Sequence, residues 1–280
     1  MEKIWIAGAK GHVGSALCDL LDCRHYEILP TDLEEVDITD RESVSNYVRV
    51  SRPDVLINCV GFGDIACEAQ PDKAYQVNTV GARNLAVQAQ AIGAKLIHLS
   101  TDDVFSHHAR QPYNEFEIPT PSTIYGKSKL AGERFVQNLC TRHVIVRSSW
   151  VYGIGRDFVN TILEAANNPS VTSMEVAENE FASPTSATEL AKVIEQLIDN
   201  DCLGIYHAVC GGFCSRFEFA QAILKAIHAK DKLTLKPISD SETINYSVLD
   251  NMMLRLENFT QPISWQQALK DYIRTTGGNN

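Results

Sequence analysis

The sequence predicts a doubly wound parallel α/β fold of the Rossmann type, with a smaller lobe formed late in the chain. Short apolar runs alternate with helical patterns through the first half, which is the signature of a parallel sheet covered by helices on both faces. A glycine loop, "GAKGHVG" at residues 8–14, lies directly between the first apolar run and the first helical pattern. After residue 150 the pattern becomes irregular, with Pro and polar residues breaking residues 170–184 and 237–245.

The elements follow in order. "KIWIAG" reads as a buried strand and residues 13–21 as a helix. "YEILPTD" is a second strand, residues 40–50 a helix, and "DVLINCV" a third strand. Residues 71–92 carry one long helical periodicity before the fourth strand, "KLIHLS". A helix over 127–139 then leads to "HVIVRSS". Later, residues 158–166, 188–198 and 216–227 read as helices and "GIYHAV" as a short strand. The expected division is a dinucleotide-binding part, 1–150, rejoined by about 186–208. A substrate-binding lobe takes 151–185 and 209–280. Trp5 is expected in the core, Trp265 to anchor the last helix, and "TTGGNN" to fray.

Composition narrows the function. The 280 residues carry a net charge of −10 and form no basic cluster, so a nucleic-acid partner is not expected. No run reaches the length of a membrane span and none resembles a signal peptide, which points to the cytoplasm. The eight cysteines lack a paired metal spacing, so reduced thiols and no metal are expected. The adjacent His107 and His108 read as solvated loop residues.

Gly8, Gly11 and Gly14 suit a dinucleotide. Glycines there permit the turn, the close approach of a pyrophosphate and the packing of helix on strand. The helix that begins with His12 and Val13 then offers free N–H groups and the positive end of its dipole to the phosphates. Asp32, about twenty residues on, ends the second strand where a carboxylate accepts hydrogen bonds from the adenosine ribose hydroxyls and repels a 2′-phosphate. No Arg or Lys follows it closely, so NAD(H) is favoured over NADP(H). Asp37 and Ile38 come next, where such folds place groups near the adenine.

Tyr125 and Lys129 lie four residues apart, on one face of a helix. A lysine ammonium beside a phenol favours its ionised form and makes tyrosine a usable acid or base. Thr101, at the end of the fourth strand, is placed to hydrogen-bond the same substrate oxygen.

With these residues in view, the chain resembles the extended short-chain dehydrogenase/reductases, and within them the dTDP-4-dehydrorhamnose reductases. The likeness covers nearly the whole chain. It rests on "GAKGHVG", "DITD", "RPDVLINC", "STDDVF", "YGKSKLAGE", "VRSSWVYG", "DFVNTIL" and "GIYH". It implies NAD(P)H-dependent reduction of a nucleotide-linked 4-keto-6-deoxy sugar, with Thr101, Tyr125 and Lys129 as the catalytic set. It implies further that Val60, Gly61, Phe62 and Asn78 contact the cofactor, that Asp102, Asp103 and Trp150 face the substrate, and that a homodimer is possible.

The substrate side departs from that pattern. Asp103 stands where the reductases carry tyrosine and the related 4,6-dehydratases carry glutamate. "VGFGDIAC" replaces an "AAYTAVD"-like segment, Glu178-Asn179 an Asp-Gln pair, and Asn245-Tyr246 an Arg-Pro pair. Two other readings therefore stay open: a nucleotide-sugar dehydratase or epimerase, and a non-catalytic nucleotide-binding subunit like the beta subunit of methionine adenosyltransferase.

Overall fold

In the computed structural model, which describes residues 1–229, 231–239 and 244–277, the chain runs as follows. Strand β1 (Glu2–Ala7), helix α1 (His12–Leu20), β2 (Tyr26–Thr31), α2 (Arg41–Ser51) and β3 (Val55–Asn58) open it. Next come α3 (Asp64–Ala69), α4 (Pro71–Tyr75), α5 (Ala82–Ile92), β4 (Lys95–Thr101), α6 (Ile124–Leu139) and β5 (His143–Ser148). The second half holds β6 (Val151–Tyr152), α7 (Phe158–Asn167), β7 (Ser173–Ala177), β8 (Glu180–Ala182), β9 (Thr185–Ser186), α8 (Ala187–Asp199) and β10 (Gly204–His207). It closes with β11 (Cys214–Ser215), α9 (Arg216–Ala226), β12 (Thr234–Ile238), β13 (Asn245–Tyr246), α10 (Met252–Leu256) and α11 (Trp265–Gly277).

Six strands form one parallel sheet in the order β10-β5-β4-β3-β1-β2. Strand order reverses between β1 and β3, and such a switch point opens a crevice at the carboxyl ends of the strands. β1, β3 and β5 are buried along nearly their whole length, as a sheet covered on both faces requires. One face packs Val13 and Leu17 of α1 and Leu190, Ile194 and Leu197 of α8 against Ile4, Ile57 and Val144. The other packs Val44 and Val48 of α2, Leu85 of α5 and Val136 of α6 against Trp5, Leu56 and Ile145. Trp5 is fully buried and donates its indole N–H to Thr31 Oγ1 at 2.8 Å.

Smaller pairings follow β5. β8 pairs with β11 and β13, β7 with β12, and β6 with β9. A third core gathers Tyr152, Ile162, Phe219, Ile223, Trp265 and Leu269 from the segments around α7, α9 and α11. Trp265 begins α11 and is buried there.

Two expectations need correction and one needs refinement. Residues 71–92 are helical throughout, but not uniformly α: α4 passes through a π-helical segment over Gln76–Gly81 into α5. The interruption turns Asn78 and Thr79 toward α6, where Asn78 Nδ2 donates to Ser128 Oγ at 2.9 Å and Thr79 Oγ1 to the Ser128 carbonyl at 2.8 Å. Residues 170–184 and 237–245 hold β7, β8 and parts of β12 and β13, whose pairs are too short and too long-range for local periodicity to show. The terminal "TTGGNN" is helical through Gly277, and residues 278–280 lie outside the described residues.

His207, the last residue of β10, has no solvent contact, and its ring is pushed down to about 3 by burial and by the Arg147 charge. A base held neutral in the folded chain takes up its proton only on unfolding, so its contribution to stability is lost as pH falls below the unfolded value near 6.5. His98, lowered by burial and by Lys129, acts in the same direction. We expect unfolding free energy from urea titrations to fall between pH 6.5 and 5, by at most about 1.4 kcal/mol per pH unit from His207, and His207→Gln to flatten that slope.

Candidate active site

The loop after β1 is shaped by contact. Gly8 adopts φ +83°, and a Cβ there would lie 3.0 Å from the Val60 amide. At Gly14 a Cβ would fall 2.1 Å from the Gly8 carbonyl oxygen, so α1 rests directly on the loop. Gly11 differs: its Cβ would meet only the Gly8 oxygen, at 3.4 Å, and Gly61 across the crevice has only Asn78 Oδ1, at 3.9 Å. No side chain caps α1, whose N-cap is Gly11. Bare backbone, an uncapped helix N-terminus and open space on the crevice side fit a pyrophosphate.

The other expected cofactor residues surround this loop. Asp32 accepts from the Lys10 amide at 3.1 Å and from the Leu33 amide at 2.9 Å. Val13 faces the core, and the His12 ring donates from Nδ1 to the Ile154 carbonyl at 2.7 Å, tying α1 to the segment after β6. Asp37 closes a local turn by accepting from the Thr39 amide and hydroxyl at 2.9 and 2.8 Å. Ile38 is buried against Gly81. The Val60 amide donates to Asn58 Oδ1 at 3.1 Å, and the Phe62 amide to Asn78 Oδ1 at 2.8 Å. Asn78 is buried and fully engaged, so its side chain joins the β3 loop to α6.

Helix α6 carries Tyr125, Lys129 and Glu133 at successive turns of one face. Its start is capped twice: Thr123 Oγ1 accepts from the Gly126 amide at 3.0 Å, and Glu68 Oε1 from the Ile124 amide at 2.7 Å. Lys129 is buried and donates from Nζ to the Leu99 carbonyl of β4 at 2.6 Å. Burial pushes its ammonium down to about 8, against the opposing pull of Glu133. Glu133 itself forms a two-point pair with Arg147 of β5, at 2.9 and 2.7 Å, with both side chains almost wholly buried. Tyr125 is half-buried, and the neighbouring Gly126 lies so close to the Asp103 carbonyl that a Cβ would sit 2.0 Å from it.

At the end of β4 the polar groups converge. Asp102 is buried and accepts on Oδ2 from Ser149 Oγ at 2.7 Å and from Ser247 Oγ at 2.6 Å. Thr101 Oγ1 lies 3.1 Å from Asp102 Oδ1 and 3.3 Å from Asp103 Oδ2, and it accepts from the Asp103 amide at 3.2 Å. Asp102 thus binds the ends of β4 and β5 to the segment after β13. Trp150, beside Ser149, adopts φ +42° and lies under the Arg216 guanidinium at 3.4 Å from its ring centroid.

Residues 1–277 match the family described as RmlD substrate binding domain. The chain belongs to this family, a branch of the extended short-chain dehydrogenase/reductases. The spore coat polysaccharide biosynthesis protein SpsK of Bacillus subtilis is 34% identical over 98% of this chain and 98% of its own. A dTDP-4-dehydrorhamnose reductase of Mycolicibacterium smegmatis is 33% identical over 99% of this chain and 86% of its own. The crystal structure of the Bacillus anthracis dTDP-4-dehydrorhamnose reductase in complex with NADP superposes with a TM-score of 0.94, at 37% identity, over 99% of this chain and 100% of that one.

Within the family frame, four features escaped sequence reasoning. Lys10, inside the glycine loop, bridges to Glu34 at 2.5 Å, so a cation does stand near Asp32 although none follows it in sequence. Arg216 reaches Trp150 from a segment 66 positions later. Glu68 caps the Tyr125 helix, and Ser247 grips Asp102. His107 corrects an expectation: its side chain is 14% exposed, with Nε2 3.4 Å from Asp103 Oδ1, while His108 alone is exposed. Among the described residues no group of His, Cys, Asp and Glu could hold a metal, and no helix is long and apolar enough to cross a membrane.

Replacing Asp102 by Ala strips three buried hydroxyls of their shared acceptor. Urea denaturation is expected to show a loss of about 3 kcal/mol, since hydrogen bonds to a charged group contribute ~1.5–3 kcal/mol each and are partly compensated. Asp102→Asn should retain roughly half.

Proposed function

We propose that this chain reduces the 4-keto group of a nucleotide-linked 6-deoxy sugar with a nicotinamide dinucleotide, as its relatives' names state for them. The observation that carries this reading is the seating of α6, with Tyr125 and Lys129 on one face, against the end of β4 that bears Thr101: Lys129 donates to the Leu99 carbonyl and the Asp103 carbonyl rests on Gly126, while the glycine loop leaves the N-terminus of α1 uncapped. The dinucleotide is assigned to the part comprising residues 1–150 and about 186–208. The sugar is assigned to the cleft closed by residues 151–185 and 209–280, with Trp150 against it. When bound, the nicotinamide supplies the hydride for the C4 carbon.

The protein supplies position and a proton. Tyr125 gives its phenolic proton to the C4 oxygen as negative charge gathers there. Thr101 holds that oxygen by a hydrogen bond, and Lys129 steadies Tyr125 and the nicotinamide ribose. Lys129 stands in a poorly solvated setting, where a charge acts strongly on its neighbours. Asp102 keeps Thr101 in place and is not itself a proton carrier in this reading.

Asp32 is assigned to the adenosine ribose hydroxyls, and this favours NADH over NADPH. Lys10, close by, is the group that would meet a 2′-phosphate if Asp32 were removed.

Nicotinamide absorbance with dTDP-4-keto-6-deoxy sugars tests the reading. The wild type should consume cofactor, and Tyr125→Phe should lower kcat by about a thousandfold or more with nicotinamide binding intact, as loss of a general acid implies. A Tyr125→Phe variant that kept full turnover would sink the assignment. Asp32→Ala should raise kcat/KM for NADPH relative to NADH by tenfold or more; an unchanged ratio would remove Asp32 from cofactor choice.

A further inference from the structure

The carboxylate of Asp103 stands beside the hydroxyl proposed to hold the reacting oxygen. Asp103 Oδ2 is 3.3 Å from Thr101 Oγ1, and the Asp103 amide donates to that same hydroxyl. Its carbonyl is seated on Gly126, next to Tyr125. Asp103 is therefore fixed from both sides of the pair proposed for catalysis. Its side chain is 25% exposed, whereas Asp102 is buried.

The spacing carries a chemical meaning. Oxygens on neighbouring carbons of a sugar ring are about one hydrogen-bond length apart. A ligand whose carbonyl oxygen meets Thr101 thus brings the substituent on the adjacent carbon alongside Asp103 Oδ2. An ionised carboxylate accepts hydrogen bonds and does not donate them, and each of its oxygens can accept more than one. The substituent it suits carries O–H or N–H.

The His107 ring stands beside that carboxylate. Its Nε2 is buried and lies 3.4 Å from Asp103 Oδ1, in ion-pair range but without hydrogen-bond alignment among the described residues. The His107 backbone is held at φ +63°, with its carbonyl accepting from the Tyr246 amide at 2.8 Å. Three positions where this chain leaves the reductase pattern or its expected exposure, Asp103, His107 and Tyr246, are thus joined.

We propose that Asp103 is a specificity-determining residue, held by His107 as a positioning residue, that selects keto sugars bearing a hydrogen-bond donor on the carbon next to the carbonyl. This deepens the reductase reading and rests on it for the placement of the carbonyl. Sites built to bond a hydroxyl reject the analogue that lacks it far more strongly than apolar pockets discriminate by size.

The test compares a dTDP-4-keto-6-deoxyhexose with its 3-deoxy counterpart. Wild-type kcat/KM should favour the hydroxylated sugar by about a hundredfold or more. Asp103→Ala should bring the ratio within about tenfold, mainly by loss on the hydroxylated sugar, and Asp103→Asn, which keeps an acceptor oxygen, should lie between. His107→Ala should lower the ratio in the same direction, whereas simple damage to the fold would slow both sugars alike. Affinities for the corresponding alcohols, dTDP-rhamnose and its 3-deoxy form, measured by calorimetry, give the ratio without turnover. If those affinities shift as stated while no keto sugar is reduced, the reductase reading fails and the Asp103 assignment stands. A ratio that Asp103→Ala leaves unchanged, or a wild type that treats both sugars equally, overturns the assignment.

Discussion

A buried ion pair between Glu133 and Arg147 fixes the register on which the candidate site depends. The two-point geometry allows one relative placement of helix α6 and strand β5, and planar guanidinium–carboxylate pairing is what makes such a placement specific. Because Tyr125, Lys129 and Glu133 fall at successive turns of one face, the pair also sets where Tyr125 and Lys129 point. Removing two charges from water is costly, and the pair's net stabilisation is modest. What it contributes is geometry: a slide of α6 along the sheet would strand a carboxylate in the core.

A second constraint acts at right angles to the first. Asp102 gathers hydroxyls from the ends of two sheet strands and from a residue 145 positions later. The cleft's far wall is thereby referenced to the same carboxylate that orients Thr101. Arg216 over Trp150 and His12 on the Ile154 carbonyl make further ties between the two sides. The cleft is thus defined by directional bonds where apolar packing alone would let it slide.

The parts legible in the sequence were those encoded locally. A glycine loop between a strand and a helix, alternating elements and a Tyr-Lys pair four residues apart all express themselves within a dozen residues. The periodicity of residues 71–92 marked a helix correctly but did not show the π-helical segment inside it, where Asn78 bonds Ser128. Lys10 and Glu34, Glu68 and the Ile124 amide, Arg216 and Trp150 are joined only by the fold. Nothing in their immediate neighbours marks them. His107 looked like an ordinary polar-loop residue because its burial is created by β13, which arrives in the chain 138 positions later.

The central sheet has an edge strand, β10, that begins at Gly204, and one of the helices that cover it, α8, ends only at Asp199. A chain emerging from the ribosome therefore exposes the open side of β5 and the bare faces of Ile57 and Val144 until some 200 residues have been made. Unpaired strand edges and uncovered apolar faces are what chaperones bind and what aggregates recruit. The glycine loop and the Tyr-Lys helix are synthesised early, but the platform that aligns them is completed late. Truncation before residue 204 removes the last strand of the sheet together with everything after it, so residues 1–150 are not a module that the chain can release on its own.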